Sequence, residues 1–136
     1  MHIVLISCVK VKLDHPARAR ELYISPLFKL SLRYAESLCP DKIFILSAKY
    51  GIVGLDQHIE PYELTLNKMK IHEAKAWSEK VIKELKNLTD IDNDEFTIVA
   101  GEKYRRFLLP HIRHYSIPTK GLSFGKTLQF LKVHTK

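Results

Sequence analysis

Four short segments, each placed after an apolar run, combine a small or hydroxylic residue with a lysine. They are Ser7-Cys8-Val9-Lys10, Ser47-Ala48-Lys49-Tyr50-Gly51, Gly101-Glu102-Lys103-Tyr104 and Pro118-Thr119-Lys120. Small residues let a ligand approach the backbone, and lysines supply point charges suited to phosphate. The alternative is the ordinary polarity of a loop after a buried strand. The agreement of four segments favours a binding site for a phosphorylated ligand.

Three residues near these segments are candidates for catalysis. A glutamate before proline takes an extended backbone, so Glu60 or the nearby Glu63 is expected to project toward Lys49 and form an acid and base pair. Cys8 is a candidate nucleophile if a nearby lysine stabilises its thiolate. The competing interpretations are an exposed ion pair and a small packing residue. The candidate catalytic residues are Lys49, Glu60 and Cys8.

The candidate ligand-binding residues divide by chemistry. Cations expected to hold phosphates are Lys10, Arg18, Arg20, Lys49 and Lys126. Rings expected to stack on a base are Tyr50, Tyr62 or Tyr104. Ser7, Ser47 and Glu60 are expected to hydrogen-bond the base, and Gly51 to permit its close approach.

Several established motifs are missing from the sequence. It has no GxxxxGK[ST], GxGxxG or GxSxG pattern, which disfavours P-loop, dinucleotide-binding and α/β-hydrolase proteins. Gly121-x-x-x-Gly125-Lys126-Thr127 is similar to the end of a P-loop, but its second glycine comes one residue early, so we set it aside. The two cysteines form no CxxC pair, and the seven histidines form no HExxH motif. We expect neither a metal nor a cofactor.

The positive charge is concentrated near the end of the chain. Residues 103–136 contain eight Lys/Arg and no acid, whereas the preceding residues hold 14 Lys/Arg and 15 Asp/Glu. A cationic face attracts phosphate backbones, and aromatic rings among the charges provide stacking surfaces. The rings are Tyr104, Phe107, Tyr115, Phe124 and Phe130. Nucleic acid or a nucleotide is therefore the expected partner, although a solvated basic surface is the simpler alternative.

Strands and helices alternate along the chain. Apolar runs predict strands at 3–8, 43–47, 96–101 and, more weakly, 114–117. A serine N-cap followed by proline starts a helix at Ser25-Pro26 that ends before Pro40, and 71–88 is an amphipathic helix. A short helix is expected at 103–109, and Ser123 is expected to cap a last helix with Phe124 facing inward. We interpret 52–70 as an irregular connection.

This alternation predicts an α/β protein: a three-layer sandwich with a mainly parallel, roughly four-stranded sheet, in a single domain over residues 1–136. Right-handed crossovers then bring the carboxyl ends of the strands, with all four segments, to one edge. No apolar run approaches the roughly 20 residues that cross a bilayer, and the first residues do not resemble a signal peptide, so a cytoplasmic location is expected.

Three blocks of the sequence resemble a known family. Cys8-x-Lys10, Leu22-Tyr23-x-Ser25-x-Leu27-Phe28 and Ser47-Ala48-Lys49-Tyr50-Gly51 are similar to the domain of unknown function numbered 6884. The longer YaaA family of peroxide-stress proteins is also similar, at Leu5-Ile6-Ser7-Cys8-Val9-Lys10, Ile45 to Gly51, Asp56, Ile59, Pro61-Tyr62 and Leu64, with arginine at the position of Glu63. This resemblance implies DNA binding and protection against oxidative DNA damage.

The leading hypothesis is a nucleic-acid-acting or nucleotide-binding protein with a phosphate and base site at the carboxyl edge. If it is an enzyme, base removal or modification, as in a glycosylase, is the expected class, because a flipped base needs stacking rings and an acid and base pair. The alternatives are a non-enzymatic DNA-binding accessory protein linked to oxidative stress and a small-metabolite enzyme that uses the same pocket.

Overall fold

A computed structural model describes residues 1–9 and 11–135 as a mixed α/β structure. Lys10, predicted to bind phosphate, lies outside the described residues. The strands are β1 (His2–Ser7), β2 (Ala17–Arg18), β3 (Lys42–Ser47), β4 (Gly51–Gly54), β5 (His58–Ile59), β6 (Glu95–Val99) and β7 (His114–Ser116). The helices are α1 (Ala19–Leu22), α2 (Pro26–Ser37), α3 (Ile71–Leu88), α4 (Glu102–Arg105) and α5 (Phe124–His134), with 3-10 turns at Leu66–Lys68 and Leu109–His111.

The main sheet has five strands in the order β4-β3-β1-β6-β7. β3, β1, β6 and β7 are parallel, and β4 pairs antiparallel with β3. The chain passes from β1 to β3 on one side and then from β4 to β6 on the other side of β1. The strand order therefore reverses between β1 and β6, which makes the carboxyl ends of these strands the expected ligand site in an open α/β sheet.

β1 lies at the centre of this sheet and of the core. Its residues Ile3, Val4, Leu5 and Ile6 are all 0% exposed. Successive side chains of a strand point to opposite faces, so both faces of β1 are covered. This explains the uninterrupted apolar run, since a strand with one solvated face would alternate apolar with polar residues.

A helix cap, packing contacts and a hydrogen bond position the two longest helices, α2 and α3. The Ser25 hydroxyl accepts a hydrogen bond from the backbone N–H of Phe28 at 3.2 Å, which caps α2 as the sequence predicts. α2 packs against β1 and α5, and α3 packs against β4. In α3 the indole N–H of Trp77 donates to the carbonyl of Ser47 at 2.9 Å, which ties the helix to the end of β3.

The structure corrects three local predictions. Residues 52–70 are not wholly irregular: they contain most of β4, all of β5 and a 3-10 turn. β4 holds only Ile52 and Val53 between two glycines, so it is too short to show a period. The helix expected at 103–109 is confined to the single turn of α4. Phe124 does not face inward but is 67% exposed at the start of α5.

No helix within the described residues combines the length and apolar character that crossing a membrane requires.

Gly51 begins β4 and has a structural reason to be glycine. Its φ is +79°, in the left-handed region that favours glycine, and a Cβ added there would overlap the Glu84 carboxylate. Glu84 in turn accepts a hydrogen bond from the backbone N–H of Ile52 at 3.3 Å. The glycine thus allows the tight reversal between β3 and β4.

Gly51→Ala is expected to lower the free energy of unfolding by about 1–2 kcal/mol, because alanine is strained at positive φ. Gly54→Ala is the matched control: a Cβ at Gly54 meets nothing within 4 Å, and its φ is ordinary. The control is expected to leave stability unchanged or to raise it by up to about 1 kcal/mol. Urea denaturation of the two variants measures this, and equal stabilities would contradict the structural role of Gly51.

Candidate functional site

A groove lies at the carboxyl ends of β1 and β6, where the strand order reverses. It consists of two adjoining cavities of about 620 and 930 Å³, which we call the hydroxyl cavity and the apolar cavity. The six residues that line both are Ser7, Val9, Leu27, Gly101, Glu102 and Phe124. We call the combined space the switch-point groove. The carboxyl edge of the sheet at the switch point, where ligands bind in open α/β sheets, is therefore concave in this protein.

Several hydroxyl groups that line the hydroxyl cavity have no partner among the described residues. Ser7, Ser31, Thr119 and Thr127 make no side-chain hydrogen bond within residues 1–9 and 11–135. Ser31 and Thr119 are only 5% and 9% exposed. Among the described residues that are not exposed, every side-chain nitrogen or oxygen that solvent cannot reach has a hydrogen-bond partner. These hydroxyl oxygens have none, so they are accessible from the cavity. Buried hydroxyls are normally satisfied, so these are available to a ligand.

The first turn of α5 borders the same cavity. Ser123 caps the helix by accepting from the backbone N–H of Lys126 at 3.3 Å. The N–H groups of Phe124 and Gly125 have no backbone acceptor in the described chain. Free amides at a helix N-terminus, together with the helix dipole, favour an anion.

Sequence reasoning brought the segments that contain Ser7, Gly101 and Thr119 to this edge, but it selected neither Ser31 nor Thr119 as a ligand-binding residue, because both carry weak signals. The loop after β7 and the start of α5 contain Gly121-x-x-x-Gly125-Lys126-Thr127, which was set aside because of its spacing. In the structure it connects a strand to a helix, as a phosphate-binding loop does, and Gly121 has a φ of +78°. Ser31 lies within α2 and gave no sequence signal. The position of these glycines between a predicted strand and a predicted helix indicates the cavity more clearly than their spacing does.

The apolar cavity occupies the other end of the groove. Val9, Val11, Leu27, Phe124 and Leu128 supply its apolar surface. Charged residues Glu63, Lys68, Glu102 and Lys103 stand around it, and the amine of Lys103 donates to the carbonyl of Asn67 at 3.2 Å. This end suits a flat, largely apolar group with polar edges.

Cys8 and Tyr104 meet on the wall of the apolar cavity. The Cys8 Sγ lies 3.3 Å from the Tyr104 hydroxyl, and both residues are buried. Trp77 contacts the Tyr104 ring edge-on with 5.7 Å between centroids. Burial raises the pKa of Tyr104, so its hydroxyl stays protonated and available as a hydrogen-bond donor.

A small recess beside this pair contains Lys12, which sequence reasoning did not select. Cys8, Lys12, Glu63 and Tyr104 all line it. The Lys12 ammonium lies 4.5 Å from the centroid of the Tyr62 ring. Desolvation lowers the pKa of Lys12, while the neighbouring Cys8 and Glu63 act in the opposite direction. The recess thus holds a thiol, an amine and a carboxylate within one wall of the groove.

Ser47 and Tyr62 belong to a separate hydroxyl chain behind this wall. The Ser47 hydroxyl donates to the Tyr62 oxygen at 2.8 Å and accepts from the backbone N–H of Tyr50 at 3.0 Å. The Tyr62 and Tyr23 hydroxyls are 2.6 Å apart. Every group in this chain is satisfied by protein, and Ser47 is 0% exposed. Ser47 and Tyr62 therefore stabilise the connection after β3.

The structure separates Lys49 and Glu60 from the groove. Both are exposed, and neither lines the two cavities. Lys49 lies 5.2 Å from the Tyr50 ring centroid, and the Tyr50 hydroxyl donates to the Glu60 carbonyl at 3.3 Å. No ion pair joins Lys49 to Glu60 within residues 1–9 and 11–135.

Arg18 and Arg20 lie together but are engaged with acids. Arg18 pairs with Glu21 and lies 3.5 Å from Asp56, and Arg20 lies 3.1 Å from the same Asp56 oxygen. Their charges are therefore partly neutralised. Lys126 is exposed on the first turn of α5, next to the hydroxyl cavity, although its side chain does not line it. Of the predicted site residues, the structure brings Ser7, Cys8 and Tyr104 together in the groove.

An open, mainly parallel sheet with a groove at its topological switch point places this chain in the α/β class, in which ligands usually bind at that position. Within that class the chain belongs to a family of unknown function, DUF6884, whose sequence model matches residues 3–133. No curated protein and no solved structure matches the chain.

The tyrosines give the site region a pH dependence. Burial raises the pKa values of Tyr23, Tyr62 and Tyr104 above the usual value of about 10. The unfolded chain loses these protons first, so stability is full below about pH 10 and falls as the pH rises further. Tyr62→Phe is expected to make this fall smaller.

Urea denaturation between pH 8 and 11 measures the effect. Tyr115→Phe, at an exposed ring, is the matched control and should show the same fall as the unmodified protein. An identical pH dependence in all three proteins would show that Tyr62 does not contribute.

Proposed function

We propose that this protein binds nucleotides or acts on nucleic acid, with the ligand in the switch-point groove. The supporting observation is the division of one continuous groove into a hydroxyl end and an apolar end. A nucleotide has the matching division, since its phosphate and sugar take hydrogen bonds and its base presents flat apolar faces. In this arrangement the phosphate lies toward the backbone N–H groups of the first turn of α5. The base lies toward the rings of Phe124 and Tyr104.

We also propose that helices cover both faces of the sheet. The parallel connections from β1 to β3 and from β3 to β6 run in opposite directions across the sheet, so right-handed crossovers would put α2 and α3 on opposite faces. The layers would then be the three-layer sandwich expected from the sequence. α2 and α5, which pack together, then form one layer and jointly frame the hydroxyl cavity.

If the protein is an enzyme, the reacting groups we propose are those of the recess. Cys8 would be the nucleophile, with Lys12 in the same recess and the Tyr104 hydroxyl 3.3 Å from its sulfur. Glu63 would be the carboxylate for acid and base work, in place of Glu60. Removal or modification of a base is the reaction class that fits, because the recess opens beside the apolar cavity where the base is placed.

Gly101→Leu is expected to abolish nucleotide binding, because a side chain at this position fills the boundary shared by the two cavities. A Cβ at Gly101 meets nothing within 4 Å, so the variant is expected to fold. Isothermal titration calorimetry against the common ribo- and deoxyribonucleoside monophosphates measures binding.

Gly54→Leu is the matched control, since its side chain also enters open space but lies on β4, away from the groove. It is expected to retain full affinity. The proposal is wrong for this groove if Gly101→Leu binds nucleotides as tightly as the unmodified protein while both variants remain folded.

A second candidate is the non-enzymatic DNA-binding accessory protein, linked through the YaaA resemblance to oxidative stress. The observation that favours it is the charge at the end of the chain. Within residues 103–135, only Arg106 pairs with a carboxylate, that of Glu102 at 3.5 Å. Arg113, Lys120, Lys126 and Lys132 are exposed. A phosphate backbone would supply their counter-charges.

This candidate predicts that duplex binding weakens steeply with salt, with a slope of log affinity against log salt of about −0.9 for each neutralised phosphate. Arg113→Gln is expected to reduce the slope by about one such contact, whereas Gly101→Leu is expected to change nothing. Fluorescence anisotropy of a labelled duplex at several salt concentrations measures both. Loss of duplex binding in Gly101→Leu would instead place the DNA in the groove.

A further inference from the structure

Ser31 and Thr119 are largely buried residues whose hydroxyls have no partner within residues 1–9 and 11–135. Ser31 projects from the middle of α2, and Thr119 lies in the loop between β7 and α5. Both line the hydroxyl cavity, although they are separated by 88 positions in the sequence. Their oxygens are accessible from the cavity and have no protein acceptor within residues 1–9 and 11–135, so a ligand that enters the cavity can accept hydrogen bonds from both.

The surroundings of these hydroxyls are suited to an anion. The free N–H groups of Phe124 and Gly125 begin α5, an 11-residue helix whose first turn borders the cavity. Arg105 also lines the cavity, and one of its guanidinium nitrogens donates to the Ala100 carbonyl at 2.7 Å, which fixes its position and leaves its other N–H groups available.

One carboxylate, that of Glu102, also lines the cavity and would oppose an anion. It is exposed, and Arg106 lies 3.5 Å from it, which offsets its charge. Glu102 borders the apolar cavity as well, so it stands between the two ends of the groove. A carboxylate at that place is suited to accept a hydrogen bond from a sugar hydroxyl or a base amine.

Resting on the proposed function, we propose that the hydroxyl cavity binds a terminal phosphate, the phosphomonoester of a mononucleotide or of a strand end, with Ser31 and Thr119 as ligands. The burial of Ser31 and Thr119 favours a terminal phosphate over an internal one. To reach hydroxyls that are 5% and 9% exposed, a phosphate must enter the cavity. An internal phosphodiester continues in both directions along its strand, so it tracks an exposed surface and does not fit there.

A terminal phosphate also satisfies more of the cavity than a sugar does. It offers three acceptor oxygens and carries a charge of about −1.5 to −2 at pH 7. The free helix amides and the Arg105 guanidinium are donors only, so they match an acceptor-only group. Ser31 and Thr119 donate to the same oxygens.

Titration calorimetry with AMP, dTMP, the nucleosides adenosine and thymidine, and inorganic phosphate tests the proposal. The monophosphates are expected to bind at least about tenfold more tightly than the nucleosides, because hydrogen bonds to a charged group are the strong ones. Thr119→Val, which keeps the shape and removes the hydroxyl, and Ser31→Ala are each expected to remove most of that difference and to leave nucleoside affinity unchanged.

Matched controls are Ser37→Ala, on the same helix with its hydroxyl bonded to the Tyr34 carbonyl, and Thr135→Val, at the residue that follows α5. Both are expected to bind AMP as the unmodified protein does. Circular dichroism of all four variants confirms folding. If Thr119→Val does not fold, Thr119→Ser retains the hydroxyl, and Ser31→Ala alone decides the outcome.

A second arm identifies the source of the phosphate. A short single-stranded oligonucleotide is measured with a 5′-phosphate and with a 5′-hydroxyl, beside a circular single strand of the same composition. Tighter binding of the 5′-phosphorylated strand, lost in Thr119→Val, supports a strand end, whereas binding of AMP or dTMP without any oligonucleotide preference supports a free nucleotide.

The measurements separate failure of the terminal-phosphate site from failure of the proposed function. Equal affinity for nucleosides and monophosphates, or a circular strand that competes fully with AMP, overturns the terminal-phosphate site and leaves the proposed function standing. Inorganic phosphate that binds through Thr119, with no binding of any nucleotide or nucleoside, supports the phosphate site and overturns the proposed function.

Discussion

The complete burial of β1 on both faces is the constraint on which the rest of the structure depends. Four consecutive residues, Ile3 to Ile6, are excluded from water, so the strand needs a partner on each side and a covering layer on each face. β3 and β6, which both follow β1 in the chain, supply these partners on opposite sides of it. The reversal of strand order next to β1 follows from this arrangement, and so does the groove at its carboxyl end. Ser7 and Cys8 enter the groove because they are the residues at which β1 ends.

Hydroxyl groups have two different roles around this edge. Ser47, Tyr62 and Tyr23 form a chain in which every group has a protein partner, and they hold the connection after β3 against the sheet. Within residues 1–9 and 11–135, Ser31 and Thr119 have no such partner. Composition does not separate these two sets, since both consist of hydroxyl-bearing residues. Contact with the protein separates them, because the hydroxyls of the first set bond to one another whereas those of Ser31 and Thr119 face the cavity.

The sequence contains enough information to predict the parallel part of the sheet, because β1, β3 and β6 are apolar runs and α3 has a clear 3.6-residue period over 71–88. β4 was missed because two apolar residues between glycines carry no period. The edge that holds the groove was predictable, since it follows from the order of strands and helices. The selection of residues at that edge was harder. Lys49 and Glu60 are near each other in sequence but face solvent outside the groove, whereas Ser31 and Thr119 meet only through the packing of α2 on the β7–α5 loop.

The two edge strands of the main sheet are shorter than the strands inside it. The long apolar strands β1, β3 and β6 each have a neighbour on both sides, and the outer positions belong to β4, of four residues, and β7, of three. Pro118, two residues after β7, has no backbone N–H to extend the pairing. The free edges thus offer few hydrogen-bonding groups to another chain. The segments most capable of cross-β association, such as Ile3 to Ile6, are consequently shielded from aggregation while the sheet is intact.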